Sequence, residues 1–122
     1  MKRLSLTALV LIAACQGAPA SSADVALEEY SIDVSAPTLA AGTVELEVSN
    51  RGEFPHTLVV TDASGEVVSA GEIVPPSGTV SVKLDLAAGH YRFTCRIVSQ
   101  DDSGNLVDHF EEGMVADVSV DT

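Results

Sequence analysis

"GHYRFTC", residues 89–95, alternates between two kinds of side chain and decides how this part of the chain folds. Tyr91, Phe93 and Cys95 fall on one side of an extended strand, and the residues between them fall on the other. The aromatic side has to face a core, because large apolar side chains leave water when a chain folds. Cys95 is therefore predicted to point inward at the end of a strand. His90 lies on the opposite side near a turn and is interpreted as a surface histidine.

The same period of two recurs in "TVELEVS", residues 43–49, and in "VSVKLDL", residues 80–86. Each stretch places apolar residues on one face and polar residues on the other. Helical spacing is scarce, and turn signals such as "NRG", "DASGE", "PPSG" and "DDSGN" separate the strands. The pattern predicts an all-β fold, an antiparallel sandwich of seven or eight short strands. The apolar positions concerned are Val44, Leu46, Val48, Val80, Val82, Leu84 and Leu86.

The first residues resemble a bacterial export signal. Two positive charges precede the apolar run "LTALVLIAA", which is too short to span a bilayer, and "IAAC" matches the lipobox of lipoproteins. We expect a signal peptide over residues 1–14, a lipidated Cys15 with a flexible tether over 15–24, and one domain over 25–122. The alternative is an ordinary signal cut after Ala20, which would release a soluble product.

The charge of the chain limits its partners. The 122 residues carry a formal net charge of −12, which becomes −14 when Lys2 and Arg3 leave with the signal. A protein with this negative charge is not expected to bind nucleic acid or anionic membrane surfaces, because like charges repel. The charge suits a protein partner with a basic surface, and acidity that serves solubility alone is the open alternative.

Cys95 is the only cysteine left once Cys15 is lipidated or removed. In a compartment that oxidises thiols, it has no second cysteine with which to pair. Two interpretations stay open on these grounds. Cys95 is either a small buried core residue or a metal ligand.

Three motifs in a fixed order resemble the cupredoxin (blue copper protein) family, the plastocyanin and azurin relatives. They are "NRGEFPHTLVV", "AAGHYRFTC" and "HFEEGMVADVSV", and the resemblance covers most of residues 27–121. Each motif is weak when taken singly, and their combination is specific. The resemblance implies a Greek-key β-sandwich that holds one type 1 copper ion.

By this resemblance, the copper ligands are His56, Cys95 and His109, with Met114 as a distant axial ligand. A thiolate, two imidazoles and a thioether serve Cu(I) and Cu(II) adequately without favouring either fully. Thr57 follows the first histidine, where familiar members often have asparagine. We expect its backbone N–H to donate to the thiolate, and the sequence leaves open whether its side chain is tied to the cysteine loop.

Thirteen residues separate Cys95 from His109, whereas the familiar small members have two to four. Folding the stretch back about Asp102 pairs Arg96 with Asp108 and Val98 with Leu106, which matches charges and apolar residues. The sequence thus predicts a β-hairpin that places Cys95 opposite His109. A short helix in "VDHFEE" is the competing local structure.

These features favour a blue copper electron-transfer protein without enzymatic activity, anchored by lipid at the bacterial cell envelope and facing the periplasm or the exterior. The alternatives are a copper carrier, which one methionine after Cys15 makes less suitable, and a metal-free immunoglobulin-like envelope domain. The expected partner is a redox protein with a basic surface.

The resemblance implies that His109 shows a solvent-exposed edge within an apolar docking patch. The residues predicted to form this patch are Ile97, Val98, Leu106, Val107 and Phe110. Acidic residues surround it in the sequence and would attract a basic partner. They are Asp101, Asp102, Asp108, Glu111 and Glu112.

Overall fold

In a computed structural model of the protein, residues 18–122 are described, so that the predicted signal peptide and Cys15 lie outside the described residues. The strands are β1 (Ser22–Glu28), β2 (Ser31–Val34), β3 (Thr38–Ala40), β4 (Gly42–Asn50), β5 (His56–Thr57), β6 (Val59–Asp62), β7 (Val67–Ser69), β8 (Ile73–Val74), β9 (Thr79–Leu86), β10 (Gly89–Thr94), β11 (Val98–Gln100), β12 (Leu106–Asp108) and β13 (Val115–Asp121).

Two sheets form a β-sandwich, as the sequence predicts. One sheet has the order β2-β1-β4-β9 and the other β3-β13-β10-β6-β7, while β5-β8 and β11-β12 form two short ribbons. Most pairs are antiparallel, but β1 pairs with β4 and β3 with β13 in parallel. The strands outnumber the predicted seven or eight because segments as short as β3 and β7 show too little alternation to be recognised in the sequence.

One hydrophobic core joins the inner faces of the two sheets. Val44, Leu46 and Val48 of β4 are buried in it, as their alternation predicts. From the other sheet, β10 contributes Phe93 and Tyr91, and Cys95 continues this inner face directly after the strand. Full burial of a side chain such as phenylalanine contributes about 2 to 3 kcal/mol to stability. Cys95 is thus fixed at one end of a packed core.

The domain begins earlier than predicted. Ser22 starts β1, and Ala20 pairs with the strand at Leu39, so residues 20–24 do not belong to a structureless tether. Ala23 is buried in the core, which explains the difference, since a run of small residues can still provide one apolar face. The part of the chain that the structure describes contains no helix long and apolar enough to cross a bilayer.

The stretch between Cys95 and His109 forms a hairpin, β11-β12, but in a different register from the predicted one. Val98 pairs with Asp108 and Gln100 with Leu106, a shift of two residues. The cause is the turn: the carboxylate of Asp101 accepts the N–H groups of Ser103 and Asn105, which moves the tip by one residue. A shift of two keeps each side chain on its predicted face, because strands alternate with period two.

Candidate metal centre

Cys95, His56 and His109 meet in the interior of the protein. The Sγ atom of Cys95 lies 3.8 Å from Nδ1 of His56 and 3.7 Å from Nδ1 of His109, and the two Nδ1 atoms are 3.1 Å apart. All three residues are fully buried. A point equidistant from the three atoms lies about 2.1 Å from each, the length of a metal–imidazole bond. One thiol and two imidazole nitrogens thus surround a position that suits a single metal ion.

His56 is delivered by a turn that Asn50 organises. The Nδ2 atom of Asn50 donates to the carbonyls of Phe54 (2.8 Å) and Val74 (2.9 Å), while its Oδ1 accepts the N–H of Gly52 (2.8 Å). The contact with Val74 also ties the turn to β8, whose residue Val74 pairs with His56. A buried amide with these three partners fixes the backbone just before His56.

His109 and Met114 lie at the two ends of a tight turn. The carboxylate of Asp108 accepts the N–H of Phe110 at 3.0 Å, and Glu112 N–H donates to the carbonyl of Asp108 at 3.1 Å. The short helix considered as an alternative in "VDHFEE" is therefore limited to this single helical turn. Met114 then donates its N–H to the carbonyl of His109 and accepts the N–H of Cys95, at 3.0 and 3.2 Å. Met114 is fully buried and linked through its backbone to two of the three donor residues.

Thr57 contacts the thiol with both its backbone and its side chain. Its N–H donates to Sγ of Cys95 at 3.4 Å, the contact expected from the sequence, and its Oγ1 lies 3.9 Å from the same sulfur. Oγ1 also accepts the N–H of Arg96 at 3.4 Å. The hydroxyl therefore provides the side-chain tie to the cysteine loop that the sequence left open. Hydrogen bonds to sulfur stabilise the thiolate form.

Glu29, which the sequence analysis missed, caps the outer nitrogen of His56. Its Oε1 lies 3.0 Å from Nε2 of His56, and its carboxylate accepts the N–H groups of Glu53 and Phe54. Burial alone would raise the pKa of Glu29, but the N–H groups of Phe54, Glu29 and Glu53 and the imidazole of His56 together hold this pKa below its ordinary value. An ionised carboxylate only accepts hydrogen bonds, so Nε2 of His56 donates to it, and in the neutral imidazole Nδ1 then presents a lone pair to the site.

His109 is enclosed by two segments that are distant in sequence. The ring of Tyr30 packs edge-on against it with centroids 5.3 Å apart, and Oγ of Ser99 on β11 lies 2.9 Å from its Nε2. The prediction that His109 has a solvent-exposed edge is therefore wrong, because the hairpin covers it. Burial, and to a smaller extent the neighbouring His56, lower the pKa of His109, which favours the neutral imidazole that a metal needs.

The residues predicted for docking divide between the two faces of the hairpin. Val98 and Leu106 are 53% and 74% exposed on the outer face. Ile97 packs against the core, Val107 is half-buried, and Phe110 lies beneath the guanidinium of Arg96, 3.9 Å from its ring centre. The exposed apolar surface beside the site is thus narrower than predicted. His90 lies elsewhere, exposed and 3.4 Å from Ser119, in agreement with its interpretation as a surface residue.

Neither Glu29 nor Ser99 has a local sequence signal that could have revealed its place at the site. Glu29 lies 27 residues before His56 in the turn between β1 and β2, within the unremarkable sequence "LEEYS". Ser99 is one of several polar residues in the hairpin. Only the pairing of strands brings these side chains to the two imidazoles.

A comparison with protein families decides the family of the chain. The model of the cupredoxin-like domain matches residues 3–107. The chain belongs to the cupredoxin-like domain family. The matched residues include His56 and Cys95 and end just before His109, so His109 is placed at the site by the structure, and Met114 by its backbone bonds to His109 and Cys95. No curated protein sequence matches this cupredoxin significantly.

Solved structures resemble this cupredoxin in fold. Reduced auracyanin from the photosynthetic bacterium Roseiflexus castenholzii aligns with a TM-score of 0.67 at 16% identity, over 86% of this chain and 100% of auracyanin. Rusticyanin from Thiobacillus ferrooxidans aligns with a TM-score of 0.60 at 19% identity, over 83% of this chain and 78% of its own. A multicopper oxidase aligns with a TM-score of 0.57 at 14% identity, over 82% of this chain and 41% of its own. At these identities the likeness shows the fold.

The donor set of this cupredoxin fits one type 1 copper ion. Two imidazoles and a thiolate in a plane, with a methionine close by, are the ligands that such a centre uses. The two Nδ1 atoms and Sγ already surround one position, and the outer nitrogen of each imidazole is held by another side chain. Ligands held in this way need little rearrangement when a metal binds.

Proposed function

We propose that this cupredoxin is a blue copper electron-transfer protein of the bacterial cell envelope, cycling between Cu(I) and Cu(II) without acting as an enzyme. The observation that carries the proposal is the convergence of His56, Cys95 and His109, buried and with their donor atoms within 4.8 Å of one another. Bound copper supplies a one-electron couple.

The residues around the site suit a centre that changes charge without changing shape. Glu29 and Ser99 hold the outer nitrogens of the two imidazoles, and Thr57 holds the sulfur. Met114 is fixed through its backbone to Cys95 and His109. Because each ligand is restrained by the fold, little nuclear motion accompanies the transfer of an electron, which is the requirement for fast exchange.

The burial of the site argues against a substrate-binding role. All three donor residues and Met114 are inaccessible to solvent. One surface depression lies over β1, β2 and β4 and another over β1, β4 and β9, and neither is lined by a donor residue or by Met114. An electron can reach a buried metal through a few ångströms of protein, whereas oxygen or nitrite needs an open coordination position.

A visible spectrum tests the proposed function. Stoichiometric Cu(II) added to the purified soluble domain, residues 16–122, should produce strong absorption near the red end of the visible range, from charge transfer between the thiolate and the metal. Cys95→Ser should lack this absorption and keep the circular dichroism of a folded β-sandwich. His90→Gln is the matched control, since it removes a histidine that lies outside the site. A colourless wild-type protein would refute the proposal.

We further propose that the partner is a redox protein with a basic surface, which docks at the outer face of the β11-β12 hairpin. Val98 and Leu106 are exposed there, and Ser99, which follows Val98 on β11, contacts His109. Exposed acidic residues lie near the two side chains in the sequence and would raise the association rate at low salt. They are Asp101, Asp102, Glu111 and Glu112. Lipidation of Cys15 would hold the protein at the membrane, facing the periplasm or the cell exterior.

A further inference from the structure

The two imidazoles of the site are held by chemically different groups. The outer nitrogen of His56 meets a carboxylate, Glu29, at 3.0 Å, whereas the outer nitrogen of His109 meets a hydroxyl, Ser99, at 2.9 Å. A hydroxyl is neutral, and the carboxylate carries a full negative charge. A negative charge is therefore hydrogen-bonded to only one of the two imidazoles, that of His56.

The carboxylate of Glu29 is held in a fixed position. It accepts the backbone N–H of Phe54 at 2.8 Å and that of Glu53 at 3.0 and 3.1 Å, in addition to its contact with His56. The side chain is only 21% exposed. Three donors that converge on one carboxylate restrict its rotation, so the contact with His56 does not depend on a freely moving side chain.

Gly52 provides the space for this carboxylate. A Cβ atom at position 52 would overlap both oxygens and the carboxyl carbon of Glu29. The turn that Asn50 organises thus has two roles. It positions His56, and because residue 52 is a glycine, it leaves space for the carboxylate of Glu29.

A carboxylate hydrogen-bonded to a ligand histidine has a predictable effect on the metal. It accepts the Nε2 proton of His56 and increases the electron density at Nδ1, which makes the imidazole a stronger donor. Its negative charge stabilises the more positive oxidation state more strongly, since the electrostatic energy scales with the charge of the ion. Both effects favour Cu(II) over Cu(I).

We propose that Glu29 is a positioning residue that raises the affinity of the site for Cu(II) relative to Cu(I), and thereby lowers its reduction potential. The inference rests on the proposed copper function and adds to it a determinant of the potential. Glu29 acts through His56 and does not itself occupy a ligand position.

The test compares Glu29→Gln with Glu28→Gln by redox titration of the copper-loaded proteins. Glutamine can still accept the proton of His56 but carries no charge. Glu28 is the neighbouring acid on the exposed side of β1, so its replacement removes the same charge without touching the imidazole. We expect Glu29→Gln to lower the ratio of Cu(II) to Cu(I) affinity about tenfold, which raises the potential of a one-electron couple by about 59 mV. The change in Glu28→Gln should be less than a third of this.

The outcomes separate this inference from the proposed function. A wild-type protein without the thiolate absorption contradicts the copper function itself. A wild-type protein with the absorption, but with the same potential in Glu29→Gln and Glu28→Gln, overturns the role of Glu29 alone. If Glu29→Gln does not retain copper, the variant Gly52→Ala tests the inference in its place. This variant keeps the negative charge of Glu29 but displaces its carboxylate from His56. Competition assays with Cu(I) and Cu(II) chelators should show a lower affinity ratio than in wild type, and an unchanged ratio overturns the inference.

Discussion

At the residue scale, the site depends on polar side chains whose partners lie far away in the sequence. The side chain of Asn50 forms hydrogen bonds with three backbone groups. The carboxylate of Glu29 contacts two backbone N–H groups and one imidazole. The hydroxyl of Thr57 contacts both the thiol of Cys95 and the backbone N–H of Arg96. Buried polar groups that find partners fix one arrangement of the backbone, because any other arrangement leaves them unsatisfied. These residues hold the copper ligands in place before the metal binds.

Thr94 is an exception and gives a prediction about stability. Its hydroxyl is buried beside Cys95 and is the one buried side-chain oxygen or nitrogen without a hydrogen-bond partner among residues 18–122. Thr94→Val replaces the hydroxyl by a methyl group of similar size and removes the cost of burying it. We expect the free energy of unfolding to rise by about 1 kcal/mol, measured by urea denaturation of the apo domain.

Thr94→Ser is the control for this prediction. It keeps the unsatisfied hydroxyl and removes a buried methyl group, so that it should destabilise the domain by about 1 kcal/mol. A Thr94→Val protein less stable than wild type would mean that the hydroxyl has a partner, such as a bound water, that stabilises the native state.

At the element scale, the β11-β12 hairpin both covers the site and presents a surface. Ser99 and Ile97 face inward, where Ser99 contacts His109 and the Ile97 carbonyl accepts its N–H at 3.0 Å. Val98 and Leu106 face outward. Removing the whole hairpin would therefore disturb His109 as well as the surface, and substitutions on the outer face are the better test of docking.

We predict that the double substitution Val98→Ser and Leu106→Ser slows electron transfer to a basic haem protein at least fivefold while leaving the copper spectrum unchanged. The reason is the loss of exposed apolar area at the centre of the proposed docking surface, where burial contributes most to binding. Stopped-flow spectroscopy under second-order conditions measures the rate.

The matched control is Val67→Ser with Val68→Ser, which removes two exposed valines from the edge strand β7. It should leave the rate unchanged, and neither double variant should alter transfer to a small metal complex, which needs no apolar patch. Equal rates for the hairpin variant and the wild type would leave the hairpin without a docking role.

At the scale of the whole molecule, the sandwich places the site at one end of a continuous core, where loops of both sheets meet. Cys95 directly follows β10 of one sheet, while Glu29 directly follows β1 and Asn50 ends β4 of the other. A cluster of apolar residues fills the space between the two sheets, and the buried polar residues lie at the site or next to Cys95. Packing of the sheets therefore also brings the ligands together with the groups that hold them.

The proposed anchoring also concerns the whole molecule and can be measured directly. The mature protein should begin at Cys15 and carry acyl chains, and intact mass spectrometry of the membrane fraction should show the corresponding mass. Two or more chains hold a protein firmly at a bilayer, whereas one does so only marginally. Cys15→Ser should abolish the lipid-dependent mass increase, and a wild-type N-terminus at Ser21 would contradict the prediction.

The sequence alone determined those features that depend on near neighbours. Alternation in residues 89–95 placed Cys95 on the core side of a strand, and it is fully buried. Alternation in residues 43–49 identified the buried face of β4 in the same way. The order of motifs identified the family, and complementary residues predicted the hairpin. These inferences succeed because a strand has a fixed period that can be counted along the chain.

Only the tertiary structure decided the register of the hairpin, the burial of His109 and the place of Glu29. The register depended on the side chain of Asp101, which competes with cross-strand pairing. The place of Glu29 and the burial of His109 depended on contacts between segments that are far apart in the sequence. In these contacts, the turn between β1 and β2 meets His56 and His109. A carboxylate in "LEEYS" has the same local sequence whether it faces water or an imidazole. Its role is decided by which strands become neighbours when the core forms.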